Sequence, residues 1–327
     1  MSVVNAIFTN FWAFLMSAIL TFLPTAGLSL RTVDTLSDDC RLNVEMISDT
    51  HLEDWGIIRP GFIAGGLHNL KHSKAPIDAV LIAGDITNYG DEESVDRFFK
   101  LFEKYSPVEK LVFCAGNHDI GHVEDDGRTE IEAREYLIES YNNYAGTDYE
   151  NIYYSTEING YKFIVIGDEG YDHWDAITMS EEQLAFLDSE LNEGTKDGKP
   201  VFVVCHWPCD DINGEQTIWP DSGIDLEDND VKSIMEKYDN VFYISGHMHA
   251  GIKSSVVDEK FGLSNAEQVN GVTYLNLPTY GIVNMFGVPW SCTGAQLEVY
   301  DDEVVFRPRN FITNKWYANA EYHFEIV

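Results

Sequence analysis

Five apolar runs in this chain each end in residues of the types that ligate metals. Leu111-Val112-Phe113-Cys114-Ala115 runs into Gly116-Asn117-His118-Asp119, an amide, an imidazole and a carboxylate in succession. Val44 to Ser48 runs into Asp49-Thr50-His51, and Ala79 to Ala83 into Gly84-Asp85. Val201 to Cys205 leads to His206, and Val241 to Ser245 to Gly246-His247-Met248-His249. Such runs are expected to be buried strands, with the polar clusters in loops at their C-terminal ends. In open α/β sheets that edge is where ligands bind. Carboxylate, imidazole and amide-oxygen donors suit borderline or hard divalent ions, and no thiolate is required. Two such ions about 3.5–4 Å apart clamp the attacking and leaving oxygens of a phosphoryl transfer. Each cluster alone is weak. An isolated Asp-x-His at a strand end is more often structural, and Gly-His-x-His is as often a capped turn as a metal pair.

Together, and in this order, the clusters are specific. Asp-x-His, Gly-Asp-x-x-Asn, Gly-Asn-His-Asp, a lone His after a strand, and Gly-His-x-His span Asp49 to His249. The series resembles the full signature of the calcineurin-like metallophosphoesterase superfamily. That resemblance implies an α/β fold, a four-layer αββα sandwich of two mixed β-sheets, with a dinuclear metal site at the strand C-terminal edge. It implies two divalent ions (Mn, Fe, Zn or Ni). Asp49, His51 and His249 would hold the first, Asn117, His206 and His247 the second, and Asp85 would bridge them. A metal-bridging hydroxide would attack phosphorus. His118 would be the general acid that protonates the leaving alkoxide, with Asp119 hydrogen-bonding its other nitrogen. Asn88 is expected to support the Asp85 loop, His122 is a candidate for substrate contact, and Tyr280 and Asn276 are candidates for a rim of the pocket. Gly84, Gly116 and Gly246 are expected to make the sharp turns that aim the next side chain inward.

The activity implied is hydrolysis of a phosphodiester or phosphomonoester, diesters being slightly favoured. The substrate would be small or displayed on a cell surface. One alternative is a catalytically silent member of the fold that serves as a binding or scaffold protein. The presence of both His118 and Asp119 argues against it. Another is a dinuclear hydrolase of a different bond, such as a peptidase, whose ligand pattern would differ.

The remaining elements must position these loops. Trp55 to Leu70 is expected to pass from loop into helix, and Val95, Phe98, Phe99 and Phe102 define one apolar helical face. Glu130 to Tyr144 forms a second amphipathic helix. Two strands, Tyr153–Ile158 and Tyr161–Ile166, are joined by Asn159-Gly160 as a type I′ hairpin. Ser180-Glu181-Glu182-Gln183 has the form of a capping box opening a helix to about Asn192. Asp210 to Asp230 is an acidic surface excursion, and Val231 to Tyr238 a short helix. The segment from Val272 onward is β-rich, with a hairpin turn at Asp301-Asp302. His68, His72, His173 and His323 carry no motif and are assigned to surface, helix ends and loops.

Composition narrows the partners. Of 327 residues, 21 are Lys or Arg and 55 are Asp or Glu, a net charge of −34. That surface repels long nucleic acids, which are bound through Lys and Arg replacing counterions. No basic cluster adjoins the motifs, so an anionic substrate must rely on the metals. The five cysteines have neither zinc-finger nor disulfide-framework spacing. Residues 3–23 are almost wholly apolar, with no Lys or Arg before Arg31. Residues 1–30 are accordingly taken as a leader: a cleaved signal, an uncleaved anchor giving membrane attachment, or an apolar docked helix. The first two place the protein outside or on the cell surface, the third in the cytoplasm. A single catalytic domain over 41–327 is the simplest organisation.

Overall fold

The apolar runs assemble into two mixed sheets. The computed structural model describes residues 30–32, 36–37, 39–73, 75–121, 127–170, 177–218, 230–252, 264–281 and 292–327. The apolar stretch 3–23, His122, His173 and part of the acidic excursion lie outside the described residues. Among the described residues, no helix is long and apolar enough to cross a membrane.

Strands are numbered in chain order. In the first sheet, β2 (Leu42–Ile47), β3 (Ala79–Ala83) and β4 (Leu111–Cys114) are parallel neighbours. On the far side of β2, β11 (Thr293–Val299) and β12 (Glu303–Asn310) form an antiparallel hairpin. β13 (Lys315–Tyr317), β1 (Leu30–Thr32) and β14 (Tyr322–Glu325) complete that side. The second sheet runs β5 (Tyr154–Ile158), β6 (Tyr161–Val165), β7 (Val201–Val204), β8 (Val241–Ser245), β10 (Val272–Asn276), β9 (Ala266–Val269). There β6, β7, β8 and β10 are parallel, and hairpins finish both ends. Every residue of β2, β3, β4, β7 and β8 is buried, which explains their unbroken apolar sequences: both faces are covered.

Helices lie outside the paired sheets. They are α1 (Ile58–Lys71), α2 (Glu92–Tyr105), a single turn α3 (Asn117–Ile120), and α4 (Glu130–Ala145). α5 (Glu181–Gly194), the short α6 (Glu215–Ile218) and α7 (Asp230–Met235) follow. The apolar face of α2 is as its spacing requires: Val95, Phe98, Phe99 and Phe102 are buried, and Asp91 caps the helix by accepting from the Ser94 N–H. Phe99 meets Phe113 of β4 edge to face, and Phe113 meets Tyr141 of α4. Tyr154 of β5 then joins the two sheets. Its hydroxyl donates to the Phe113 carbonyl at 2.8 Å and accepts the Phe113 N–H at 3.0 Å. The outermost strand of one sheet is thereby closed by a side chain from the outermost strand of the other.

Asn159 (φ 51°) and Gly160 (φ 76°) both take the left-handed conformation that a type I′ turn needs. The capping box at Ser180 is only half formed. Ser180 accepts from the Gln183 N–H, but the Gln183 side chain pairs with both backbone groups of Gly167. The Ser180 N–H goes instead to the Glu169 carboxylate, 2.7 Å away. Gln183 is fully buried, and there an unpaired Gly167 peptide would be costlier than an imperfect cap. The helix expected over Val231–Tyr238 ends at Met235, where tighter turns to Lys237 and Tyr238 replace it.

One ionic cluster lies on the first sheet. Arg309 of β12 donates to Glu45 of β2 and to Gln296 of β11, and all three side chains are fully buried. Burial outweighs the pairing, and Glu45 is pushed up to about 7. A carboxyl raised above its unfolded value contributes stability below the unfolded value and loses it as pH rises through the folded one. Relative to Glu45→Gln, the wild-type protein is therefore expected to lose roughly 3 kcal/mol between pH 4 and pH 8. Urea denaturation of both proteins across that range checks this, and a constant difference would contradict it.

Candidate metal centre

The C-terminal ends of β2, β3 and β4 from one sheet meet those of β7 and β8 from the other. The loops that leave them carry Asp49 and His51, Asp85, Asn117 and His118, His206, and His247 and His249. One ligand atom from each of Asp49, His51, Asp85 and His249 falls within 4.8 Å of the others. His249 Nε2 lies 3.1 Å from Asp49 Oδ1 and 3.0 Å from His51 Nε2. Asp85 faces both halves of the site, its Oδ2 being 3.6 Å from His51 Nε2 and 3.2 Å from His206 Nε2. Asn117 Oδ1 is 3.2 Å from His247 Nδ1, and the His247 and His206 rings are 5.1 Å apart. The His118 ring meets that of His51 edge to face at 4.5 Å.

Electrostatics put these groups in the state a cation requires. Burial would raise Asp85, but His206 and His118 outweigh it and hold the carboxyl well below its usual range. At Asp49 burial is likewise outweighed, here by His249 and His206, and the carboxyl is lowered. Burial drives His51 and His247 down to about 3, keeping both imidazoles neutral. His206 is the exception: burial opposes its charge, yet Asp85 prevails and lifts it to about 9. A divalent cation bound here competes with that proton, as is usual where ligands must deprotonate. Apart from the nearby His249 ring, the buried Asp49 carboxylate meets no hydrogen-bond donor among the described residues, and the Nε2 atoms of His51 and His249 confront one another. This donor set fits a divalent ion.

The ligand loops hold unusual backbone. Asp49 (φ 54°), His51 (φ 44°), Asp85 (φ 51°), His247 (φ 66°) and His249 (φ 47°) all occupy the left-handed region. The other described non-glycine residues with positive φ are Asn or Asp, except Cys292. Positive φ is uncommon for any non-glycine residue, and the three described histidines that adopt it are all in this site. Backbone bonds enforce the conformation: Asp49 donates to the Gly84 carbonyl, His51 to that of Asp85, and Gly246 to that of His206. His206 is fixed by Nδ1–H donating to the Ala83 carbonyl at 2.7 Å, which aims Nε2 at Asp85.

Several expectations need correction. Asp119 does not supply the acceptor that orients His118. Its carboxylate accepts from the N–H groups of Gly116, Ile86 and Thr87 and from the Thr87 hydroxyl, tying the β3 and β4 loops together. The acceptor at His118 Nδ1 is the backbone carbonyl of Asn88, 3.0 Å away. Asn88 thus acts through its peptide, while its side chain reaches toward Glu53. Of the three glycines, only Gly84 (φ 83°) makes a left-handed turn. Gly116 and Gly246 are required for space: a Cβ would come within 2.2 Å of Asp85 Oδ1 and 1.9 Å of Ser48 Oγ, respectively. Tyr280 is buried and donates its hydroxyl to the Phe62 carbonyl of α1, so it packs in the core.

The buttresses of these loops go beyond the sequence expectations, which place Asn276 at a pocket rim and say nothing of Thr279 or Arg59. Asn276 donates to the Gly246 carbonyl at 2.7 Å. The Thr279 hydroxyl and the Gly281 N–H both donate to the Asp49 carbonyl. Arg59 of α1 donates to the His51 carbonyl and pairs with Glu53. Their partners are mostly backbone carbonyls, which carry no residue-type signal. The sole available clue is that Asn276 to Gly281 follows a strand ending at the same sheet edge.

The profile of the calcineurin-like phosphoesterase family matches residues 44–251, more than half of the chain. The protein belongs to that family, and family and geometry together point to a dinuclear divalent-metal site. No curated protein gives a significant match. Among solved structures it is similar to a dimetal phosphatase from Danio rerio, with TM-score 0.60 and 14% identity. That match covers 88% of this chain and 100% of the other. It is also similar to a purple acid phosphatase from seeds of yellow lupin (Lupinus luteus), with TM-score 0.59 and 14% identity. There 92% of this chain aligns with 55% of the other.

The glycine at the second-sheet loop gives a direct test. Gly246→Ala places a methyl group against Ser48 and Asp49 Oδ2, and is expected to weaken divalent-metal binding at least about 10-fold, a 1.4 kcal/mol effect. Competition against a chromophoric chelator measures it; unchanged affinity would mean that the loop yields freely.

Proposed function

We propose that this chain hydrolyses phosphoric esters at a two-metal centre, with His118 as the proton donor to the leaving group. The observation that carries the proposal is the position of Asp85, one carboxylate oxygen of which faces both His51 and His206. Asp49, His51 and His249 would hold one ion, and Asn117, His206 and His247 the other. When bound, such ions supply Lewis-acid stabilisation of the phosphoryl oxygens and an acidified water as nucleophile.

The chain's own residues do the rest. Asp85 keeps the two halves of the site in register, its second oxygen accepting the His118 backbone N–H at 2.9 Å. The Asn88 carbonyl can only accept, so His118 Nδ1 carries a proton and Nε2 is the atom left for transfer. Protonated at both nitrogens, His118 gives the Nε2 proton to the departing alkoxide oxygen as the P–O bond breaks. It ends neutral, still anchored on Asn88. Burial of the ligand rings excludes bulk water and strengthens each charge interaction.

The sequence alone leans slightly toward diesters. Both named structural neighbours are phosphatases, which supports a monoester substrate instead. Assays of p-nitrophenyl phosphate and bis-p-nitrophenyl phosphate, with Mn²⁺, Zn²⁺ or chelator added, distinguish the two. Turnover abolished by chelator is expected. His118→Ala is expected to lower kcat by 10²- to 10⁴-fold while the bound-metal content is unchanged. Full metal content with no turnover of either ester by the wild-type protein would favour the silent scaffold instead.

A further inference from the structure

Two loops that leave the metal ligands, together with the first residue of α1, carry an exposed apolar surface. Among the described residues, six large apolar side chains are exposed, and four of them lie here: Trp55 (67%), Ile57 (52%), Ile58 (57%) and Tyr89 (47%). Single exposed apolar residues are ordinary, whereas a cluster beside a site marks a binding surface. Trp55 is four residues beyond His51, and Tyr89 four beyond Asp85. Four extended residues span at most about 14 Å, so both remain within that reach of a ligand.

The two loops are also fastened to each other. Leu52 pairs with Thr87 as an isolated bridge, and the Asn88 N–H donates to the Leu52 carbonyl at 2.9 Å. Arg97 of α2 donates to three carbonyls of the first loop, those of Glu53, Asp54 and Gly56, each at 2.8 Å. A segment braced by three charge-assisted bonds has its apolar side chains held outward rather than folded into the core. Arg97 is engaged by these three carbonyls, and Arg59 Nη1 by the His51 carbonyl and the Glu53 carboxylate, so both guanidinium groups brace the loop. Beside the metal ligands the rim adds apolar surface to an otherwise strongly acidic molecule.

We propose that Trp55, Ile57, Ile58 and Tyr89 hold the alkyl or aryl portion of a phosphoester whose phosphoryl group lies at the metal centre. The substrate class is therefore an amphipathic phosphoester with an uncharged, apolar leaving or flanking group. This rests on the phosphoesterase reading given above and narrows it.

The test uses the full chain, metal-loaded, with n-alkyl phosphates from ethyl to octyl, alongside n-alkyl p-nitrophenyl diesters of the same lengths. All are kept below their micellar concentrations. Leaving-group reactivity hardly changes along each series, so kcat/KM reports contact with the chain. Burying about half of the added methylene surface gives an octyl-to-ethyl ratio of roughly 50-fold in the wild-type protein. Trp55→Ala/Ile57→Ser should reduce that ratio at least about 10-fold. Both residues are exposed, and serine at position 57 is a favourable helix N-cap, so folding is retained. A purely structural effect would lower all esters together and leave the ratio intact. A wild-type ratio near unity, or a ratio that the double variant leaves unaltered, would overturn the proposal while the phosphoesterase reading stands. So would a variant-sensitive preference for nucleotide esters over the alkyl series, which would make the rim a base-stacking surface. No turnover of any ester would remove the underlying activity itself, a distinguishable result.

Discussion

The structure is organised around two carboxylates, Asp49 and Asp85, buried almost completely in one small space. Removing an ionised carboxylate from water costs several kcal/mol even after relaxation, and two like charges together cost more. The chain answers with converging imidazoles, the His118 N–H on Asp85, and a donor set shaped for cations. Five strand ends from two sheets are needed to deliver these groups. The left-handed backbone at Asp49, His51, Asp85, His247 and His249 follows from the same demand. A residue leaving a strand in the ordinary extended conformation would continue the strand's alternation, whereas a left-handed turn redirects the chain at the strand end where the ligands gather. Strain of order 1–3 kcal/mol per residue persists only where surroundings over-determine it. The carbonyls of Gly84, Asp85 and His206 provide that determination.

The parts legible in the sequence are those in which one residue type has one physical use. Apolar runs covered on both faces announce β2, β3, β4, β7 and β8, and the polar residues after them announce the site. Asn159-Gly160 specifies its turn because few other pairs take positive φ twice. The illegible parts depend on backbone partners. Asp119 is next to His118 in sequence, yet its carboxylate binds peptide N–H groups of a neighbouring loop, while His118 turns to a peptide carbonyl. Gln183 has the spacing of a capping residue, but a buried peptide at Gly167 competes for it and wins. Gly116 and Gly246 resemble turn glycines, although what excludes a side chain there is the carboxylate or hydroxyl of another strand's loop. In each case the deciding contact is long-range, and periodicity carries no information about it.

The two sheets are joined by chemically different means at different places. Across the interior the contact is apolar and tolerant of adjustment. At the outer strands it is Tyr154, whose hydroxyl engages both peptide groups of Phe113 and so fixes β4 against β5. At the strand ends it is the polar cluster, in which directional hydrogen bonds and close carboxylate–imidazole contacts replace apolar packing. Precision rises toward the site. The first sheet's far side, where Glu45 and Arg309 pair within β2 and β12, is held by groups that touch no ligand.

The distribution of ligands over both sheets has a consequence for assembly. Asp49 and His249 stand at opposite ends of the family-matched segment, on loops from separate sheets, yet their side-chain atoms are 3.1 Å apart. An ion shared by such ligands works as a clip closing a very long loop, and loop-closure entropy makes long clips more effective restraints on the unfolded chain than short ones. It is also a clip that no early folding unit can fasten. β2 and β3 can pair soon after they are made, but they offer only half of a coordination shell until β7 and β8 have docked. Capture of divalent ions by these ligands would therefore have to await completion of the two-sheet body, and their release would be felt along the seam between the sheets.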